Sequence, residues 1–122
     1  MAPGRVLNRS RHMRDAAAAI ERVIAGKTFA EYGSDPDLAA AVERYLERLS
    51  EASRHVQDDV ERAHPGVDWR GVADLGNVLR HAYDQVIDHR IWQLIEVDLA
   101  PLRLAVDAMI AEVDRSPGAW RR

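Results

Sequence analysis

One short segment, residues 69–88, concentrates the side chains that could do chemistry. Written as a helix, it places six polar side chains about 150–160° away from its apolar stripe: Arg70, Asp74, Asn77, His81, Asp84 and Asp88. Within one turn, Arg80, His81 and Tyr83 bring together a cation, a proton carrier near neutral pH and a phenol. Such a set could bind a phosphate and move protons at it. The same stripe could also be a solvated polar face.

Two glycines in this segment indicate that another group comes close to the helix backbone. Gly71 and Gly76 lie inside the helical pattern, where each costs roughly 1 kcal/mol of helix stability relative to alanine. A helix that keeps such residues often does so because another group approaches its backbone.

The rest of the chain predicts the helices that must position this segment. Thr28 and Glu31 predict a capping box for one short turn, Asp35 and Asp68 are predicted N-caps, and Pro101 is expected to kink the last helix. The second helix, after its Asp35 cap, would run about 42 Å without interruption. Apolar residues at three- and four-residue steps predict helices from Val6 to Ala25, Pro36 to Ala63, Trp69 to Val86, and near Asp88 to Val113.

The predicted fold class is all-α, an up-and-down bundle of four principal helices with a short extra turn between helices 1 and 2. Residues 1–115 are expected to form a single domain, and residues 116–122, after Ser116-Pro117-Gly118, a loose tail.

Composition excludes several classes of protein. The chain has 122 residues, no cysteine and a formal net charge of −3, so neither a disulfide scaffold nor a general nucleic-acid coat is expected. No apolar run reaches the roughly 20 residues of a membrane span. The histidines lack metal-ligand spacing and no glycine-rich phosphate loop is present. We therefore expect a cytoplasmic protein with no metal and no cofactor.

The order of motifs resembles that of the HepT-like ribonucleases of the HEPN superfamily. Residues 69–83, WRGVADLGNVLRHAY, are similar to the family's signature region, in which a Trp opens the helix and an Arg-Asn pair precedes a His-x-Tyr ending. The similarity continues at Ile91-Trp92, at residues 98–102 (DLAPL) and at residues 49–52 (LSEA) of the long helix. It spans roughly residues 12 to 113, so the family's HEPN-like bundle is implied for the chain.

The resemblance implies a specific activity. HepT-like proteins are toxins of toxin–antitoxin pairs, encoded beside an MNT-type nucleotidyltransferase antitoxin, and they act as homodimers that cut RNA without a metal ion. His81 would be the general acid or base, and Arg80 and Asn77 would hold the phosphate and backbone. Glu51 would add a polar group from the long helix, and Tyr83 matches the tyrosine that the antitoxin can modify with AMP.

The chain departs from the family at one position. The motif needs Arg five residues before the His, and Gly76 stands there. Arg80 could replace it, because its flexible side chain starts one residue from His81. Arg70 is less suitable, because it lies about 16 Å from His81 along the helix axis. A rearranged active site is one interpretation. The alternative is a non-catalytic helical module that binds a nucleotidyltransferase.

Overall fold

The computed structural model describes the backbone of residues 3–81 and 84–115, and the side chains of residues 4–80 and 88–112. The described part of the chain contains seven helices and no strand, which confirms the all-α class. The helices are α1 (Pro3–Ile24), α2 (Phe29–Gly33), α3 (Pro36–Arg54), α4 (Gln57–Ala63), α5 (Trp69–His81), α6 (Asp84–Val97) and α7 (Leu99–Arg115). The predicted tail, residues 116–122, lies outside the described residues, and the single domain over 1–115 stays a prediction.

The connection from α1 to α2 forms as the sequence predicts. Gly26 adopts a φ of +71° just after α1, a conformation that glycine reaches without a steric penalty. The Thr28 hydroxyl then accepts a hydrogen bond from the Glu31 N–H at 3.1 Å, and the Glu31 carboxylate accepts one from the Thr28 N–H at 3.2 Å. This capping box fixes the start of the short α2.

The single long helix predicted from Pro36 to Ala63 is wrong. Its start is as predicted, with the Asp35 carboxylate accepting hydrogen bonds from the Asp37 and Leu38 N–H groups at 3.1 Å. However, α3 ends at Arg54, and Val56 leaves the helical conformation with φ −133° and ψ 26° before α4 begins.

Local chemistry explains the break. The Ser53 hydroxyl donates to the Ser50 carbonyl at 2.8 Å, a side-chain bond that competes with the helical backbone and bends helices. Asp58 and Asp59 lie in the first turn of α4 and Arg54 in the last turn of α3. Charges of these signs stabilise a helix start and a helix end, respectively. Val56 and Val60 are both buried, so the apolar pattern continues across the break.

Of the two remaining predicted helix starts, one is confirmed and the other shifts. The Asp68 carboxylate caps α5 by accepting a hydrogen bond from the Gly71 N–H at 3.0 Å, as predicted. α6 begins at Asp84 rather than near Asp88.

The last predicted helix is divided rather than kinked at Pro101. The division falls at Asp98, between α6 and α7. Pro101 is therefore in the first turn of α7, where its missing N–H would have no helical acceptor in any case.

Helix α3 lies at the centre of the arrangement that positions the site. It packs against both α1 and α5, while α1 also packs against α7, and α7 against α6. The side chains buried between these helices include Met13, Ile20, Val42, Leu46, Leu49, Trp69 and Val106. Arg103 of α7 reaches both carboxylate oxygens of Glu21 on α1 at 2.6 Å. None of the helices described is both long and apolar enough to cross a membrane.

Candidate functional site

A groove of about 680 Å³ runs along the surface where α1, α3 and α5 meet. Five arginines and three carboxylates line it, so it is locally cationic in a chain whose net charge is −3. We call it the arginine groove. Its charged lining comprises Arg9, His12, Asp15, Arg44, Glu47, Arg48, Glu51, Arg54 and Arg80, with Tyr45 and Gly76 between them.

Gly76 lines the groove at a point where Ser50 joins α3 to α5. The buried Ser50 hydroxyl accepts a hydrogen bond from the Gly76 N–H at 3.4 Å and donates one to the Ala73 carbonyl at 2.9 Å. This is the close approach that the glycine predicted. At Gly71 the approaching group is instead the Asp68 cap of its own helix.

Two guanidinium groups converge on the side-chain position of Gly76. A Cβ atom placed there would lie 3.5 Å from Nη1 of Arg80 and 3.7 Å from Nη1 of Arg54. Arg80 reaches this point from the next turn of α5, and Arg54 reaches it from the last turn of α3. The position without a side chain of its own therefore has two cations beside it.

Glu51 holds one of these cations. Its carboxylate accepts a hydrogen bond from Arg54 and contacts Nε2 of His55 at 3.0 Å. The Arg54 guanidinium, and after it the His55 ring, hold the pKa of the Glu51 carboxyl below its ordinary value. Glu51 is thus an anion at neutral pH that orients Arg54, and it is a poor proton donor there.

The structure brings some of the predicted site residues together and separates others. Arg80 and Glu51 line the arginine groove. Asn77 is exposed on α5 but is not among the residues that line the groove. α5 extends to His81, whose side chain lies outside the described part, as does Tyr83. The roles of these residues stay predictions.

Arg70 is engaged elsewhere. Its Nε atom lies 3.5 Å from the Glu61 carboxylate of α4, and its side chain is 88% exposed. This ion pair is at the opposite end of α5 from Arg80, in agreement with the separation expected along the helix axis.

Several groove residues were missed by the sequence analysis: Arg9, His12, Arg44, Arg48 and Arg54. Part of the signal was present. Arg44 and Arg48 are four residues apart, and Arg9 and His12 three apart, so each pair shares one face of a helix. What the sequence did not show is that these two faces line one groove together with α5.

The chemistry available in the described part of the groove is anion binding. Arginine presents a planar fork of donors that suits phosphate oxygens, and several such forks line one depression. Among the residues that the structure describes, no group of three or more His, Asp or Glu side chains is placed to hold a metal ion.

Comparison with known proteins identifies the family. A family model described as Ribonuclease HepT-like matches residues 13–109. A protein of Thermococcus cleftensis named "Probable ribonuclease HepT" is 32% identical over 95 residues, which cover 75% of this chain and 86% of that protein. A protein of Methanocaldococcus jannaschii named as a candidate RNase is 29% identical over 77 residues, 63% of this chain and 71% of that protein. No solved structure matches the chain. The match over residues 13–109 includes α3, α5 and most of the arginine groove, and the chain belongs to the HepT-like ribonuclease family.

Proposed function

We propose that the protein is a metal-independent endoribonuclease and the toxin of a toxin–antitoxin pair. The observation that carries this proposal is the family match over residues 13–109, which includes α3, α5 and most of the residues that line the arginine groove.

 Of the residues that line the groove, Arg9 and His12 precede the matched range. The relatives are named as ribonucleases, which supports RNA as the substrate.

In the proposed reaction, His81 acts on the ribose beside the scissile phosphate. It takes the proton of the 2′-OH, the 2′ oxygen bonds to the adjacent phosphorus, and the bond from phosphorus to the 5′ oxygen breaks. The 5′ oxygen then receives a proton, which leaves a 2′,3′-cyclic phosphate and a 5′-hydroxyl end. In a homodimer, which we also propose, a second His81 would be available as the acid. Arg80 would offset the charge that develops on the phosphate, and Asn77 would hold the backbone.

The test compares the wild type with His81→Ala on an RNA substrate in the presence of a metal chelator. We expect the wild type to cleave, and we expect a loss of roughly 100-fold or more in the variant, which is typical for removal of a general acid or base. His89→Ala is the matched control, because His89 is an exposed histidine on α6 that contacts the Phe29 ring. Equal cleavage by wild type and His81→Ala would remove His81 from the mechanism.

We further propose that the partner is an MNT-type nucleotidyltransferase, encoded in a neighbouring reading frame with a Gly-Ser motif followed by an Asp-x-Asp pair. Tyr83 is the proposed AMP acceptor, since an added phosphate would place negative charge beside the cleft and compete with RNA. Incubation of the two proteins with ATP should add the mass of one AMP to the wild type and none to Tyr83→Phe. Modification of Tyr83→Phe would exclude this acceptor.

The second candidate is a non-catalytic module that binds the nucleotidyltransferase. The observation that favours it is Gly76, where the family motif has Arg. Gly76→Arg separates the two candidates, with Gly76→Ala as the control for the added Cβ atom. If only Gly76→Arg cleaves RNA, the natural protein is the non-catalytic module.

A further inference from the structure

The cation that the signature helix lacks at position 76 is present in the groove, but it comes from another helix. Nη1 of Arg54 and Nη1 of Arg80 both lie within 4 Å of the point that a Cβ atom at Gly76 would occupy. Gly76 is itself buried and lines the groove, so an anion resting there would meet both guanidinium groups.

Arg54 is held in this place by its surroundings. Glu51, one turn earlier on α3, accepts a hydrogen bond from it. The Arg54 side chain is still 42% exposed, so it can be reached from the groove.

Arg54 and Arg80 both line the arginine groove, so a ligand that enters the groove can contact both. Like charges that converge on one point repel each other, and an anion bound between them would relieve that repulsion. A phosphate diester presents two free oxygens, which match the donor fork of arginine.

We propose that Arg54 is a catalytic residue that binds the scissile phosphate together with Arg80, and that this pair replaces the arginine missing at position 76. This inference rests on the proposed ribonuclease activity. Glu51 is then a positioning residue that acts through Arg54.

The experiment measures RNA cleavage by the full chain, under single-turnover conditions, for wild type, Arg54→Ala, Arg54→Gln and Arg54→Lys. We expect Arg54→Ala and Arg54→Gln to lose roughly 100-fold, comparable to removal of one transition-state donor. Arg54→Lys should retain more activity because it keeps the charge, although it lacks the fork. Arg62→Ala is the matched control, because Arg62 is an exposed arginine of α4 that does not line the groove.

A rescue variant distinguishes phosphate binding from a merely structural role. Gly76→Arg introduces a guanidinium near the same point, and the added Cβ atom has only ordinary contacts at 3.5 Å or more. We expect Arg54→Ala/Gly76→Arg to recover most of the lost activity and Arg54→Ala/Gly76→Ala to recover none. Thermal unfolding followed by circular dichroism checks that each variant is folded.

The outcomes separate this inference from the proposed function. If the wild type cleaves RNA and Arg54→Ala matches it, or if Gly76→Arg gives no rescue, Arg54 does not bind the scissile phosphate and the ribonuclease assignment still holds. If the wild type does not cleave RNA, both are wrong.

Discussion

The Ser50 hydroxyl joins α3 to α5 at the Gly76 N–H, 3.4 Å away, and at the Ala73 carbonyl, 2.9 Å away. This contact sets how closely the signature helix approaches α3. Arg54, the last residue of α3, lies beside residues of α5 on the same side of this contact.

The two glycines of α5 should respond differently to alanine. Gly76→Ala is expected to raise the free energy of unfolding by about 0.5–1 kcal/mol, because the helix gains propensity and the new Cβ atom meets no close contact. Gly71→Ala should show no such gain, because its Cβ atom would overlap the Asp68 carboxylate that caps the helix. Urea denaturation of both variants measures the difference. An equal gain in both would contradict this explanation.

Glu43 should give the stability of the protein a measurable pH dependence. Burial, and then the negative charges of Asp88 and Glu47, raise the pKa of the Glu43 carboxyl above its ordinary value of 4.5. The folded protein therefore binds this proton more tightly than the unfolded chain does, so ionisation of Glu43 opposes folding as the pH rises above 4.5.

We therefore expect Glu43→Gln to raise the melting temperature at pH 7, and we expect the gain to fade as the pH falls toward 4.5 and to be absent below it. Glu112→Gln, at an exposed position on α7, is the control. A gain for Glu43→Gln that is the same at pH 4 and pH 7 would exclude this cause.

Trp69 should contribute more to stability through its N–H group than Trp92 does. Its buried side chain donates a hydrogen bond from Nε1 to the His64 carbonyl at 2.8 Å. Trp69→Phe removes that donor and leaves a void, for an expected loss of about 1–3 kcal/mol. Trp92→Phe should cost less, because Trp92 is half-buried and keeps an aromatic ring against Tyr32. Equilibrium denaturation of the two variants gives the comparison.

RNA binding should depend on salt through the arginine groove. Each phosphate contact in a single-stranded complex contributes roughly 0.7 to the slope of log K against log salt. Arg48→Ala is therefore expected to reduce that slope by about 0.7 for a 2′-O-methyl RNA that cannot be cleaved. Arg62→Ala, an exposed arginine of α4 that does not line the groove, should leave it unchanged. Fluorescence anisotropy over a salt series measures both slopes.

Local sequence signals were sufficient for much of the fold. The Asp35 cap, the Thr28–Glu31 capping box and the left-handed Gly26 each depend on a few neighbouring residues, and all three are confirmed. The breaks at Val56 and Asp98 were missed for a common reason. Apolar residues continue at helical spacing through both breaks, so periodicity alone cannot distinguish one long helix from two shorter helices that bury the same face.

The candidate site was less predictable than the fold. Arg80, from its place beside His81, and Glu51, from the resemblance, could be named from the sequence, and both line the groove. Arg54 could not, because its position near Gly76 results from the packing of α3 on α5, which no local pattern encodes. That packing does not itself require glycine at position 76, because an added Cβ atom would have only ordinary contacts at 3.5 Å or more.

The break between α3 and α4 also separates the two helices energetically. A seven-residue helix such as α4 is too short to be stable alone in water, so it depends on Val60 and on the Trp69 bond to His64. Because the regular backbone hydrogen bonds of α3 already end at Arg54, local unfolding of α4 need not spread into α3. Amide hydrogen exchange in α4 can then be fast while α3 and the arginine groove stay protected.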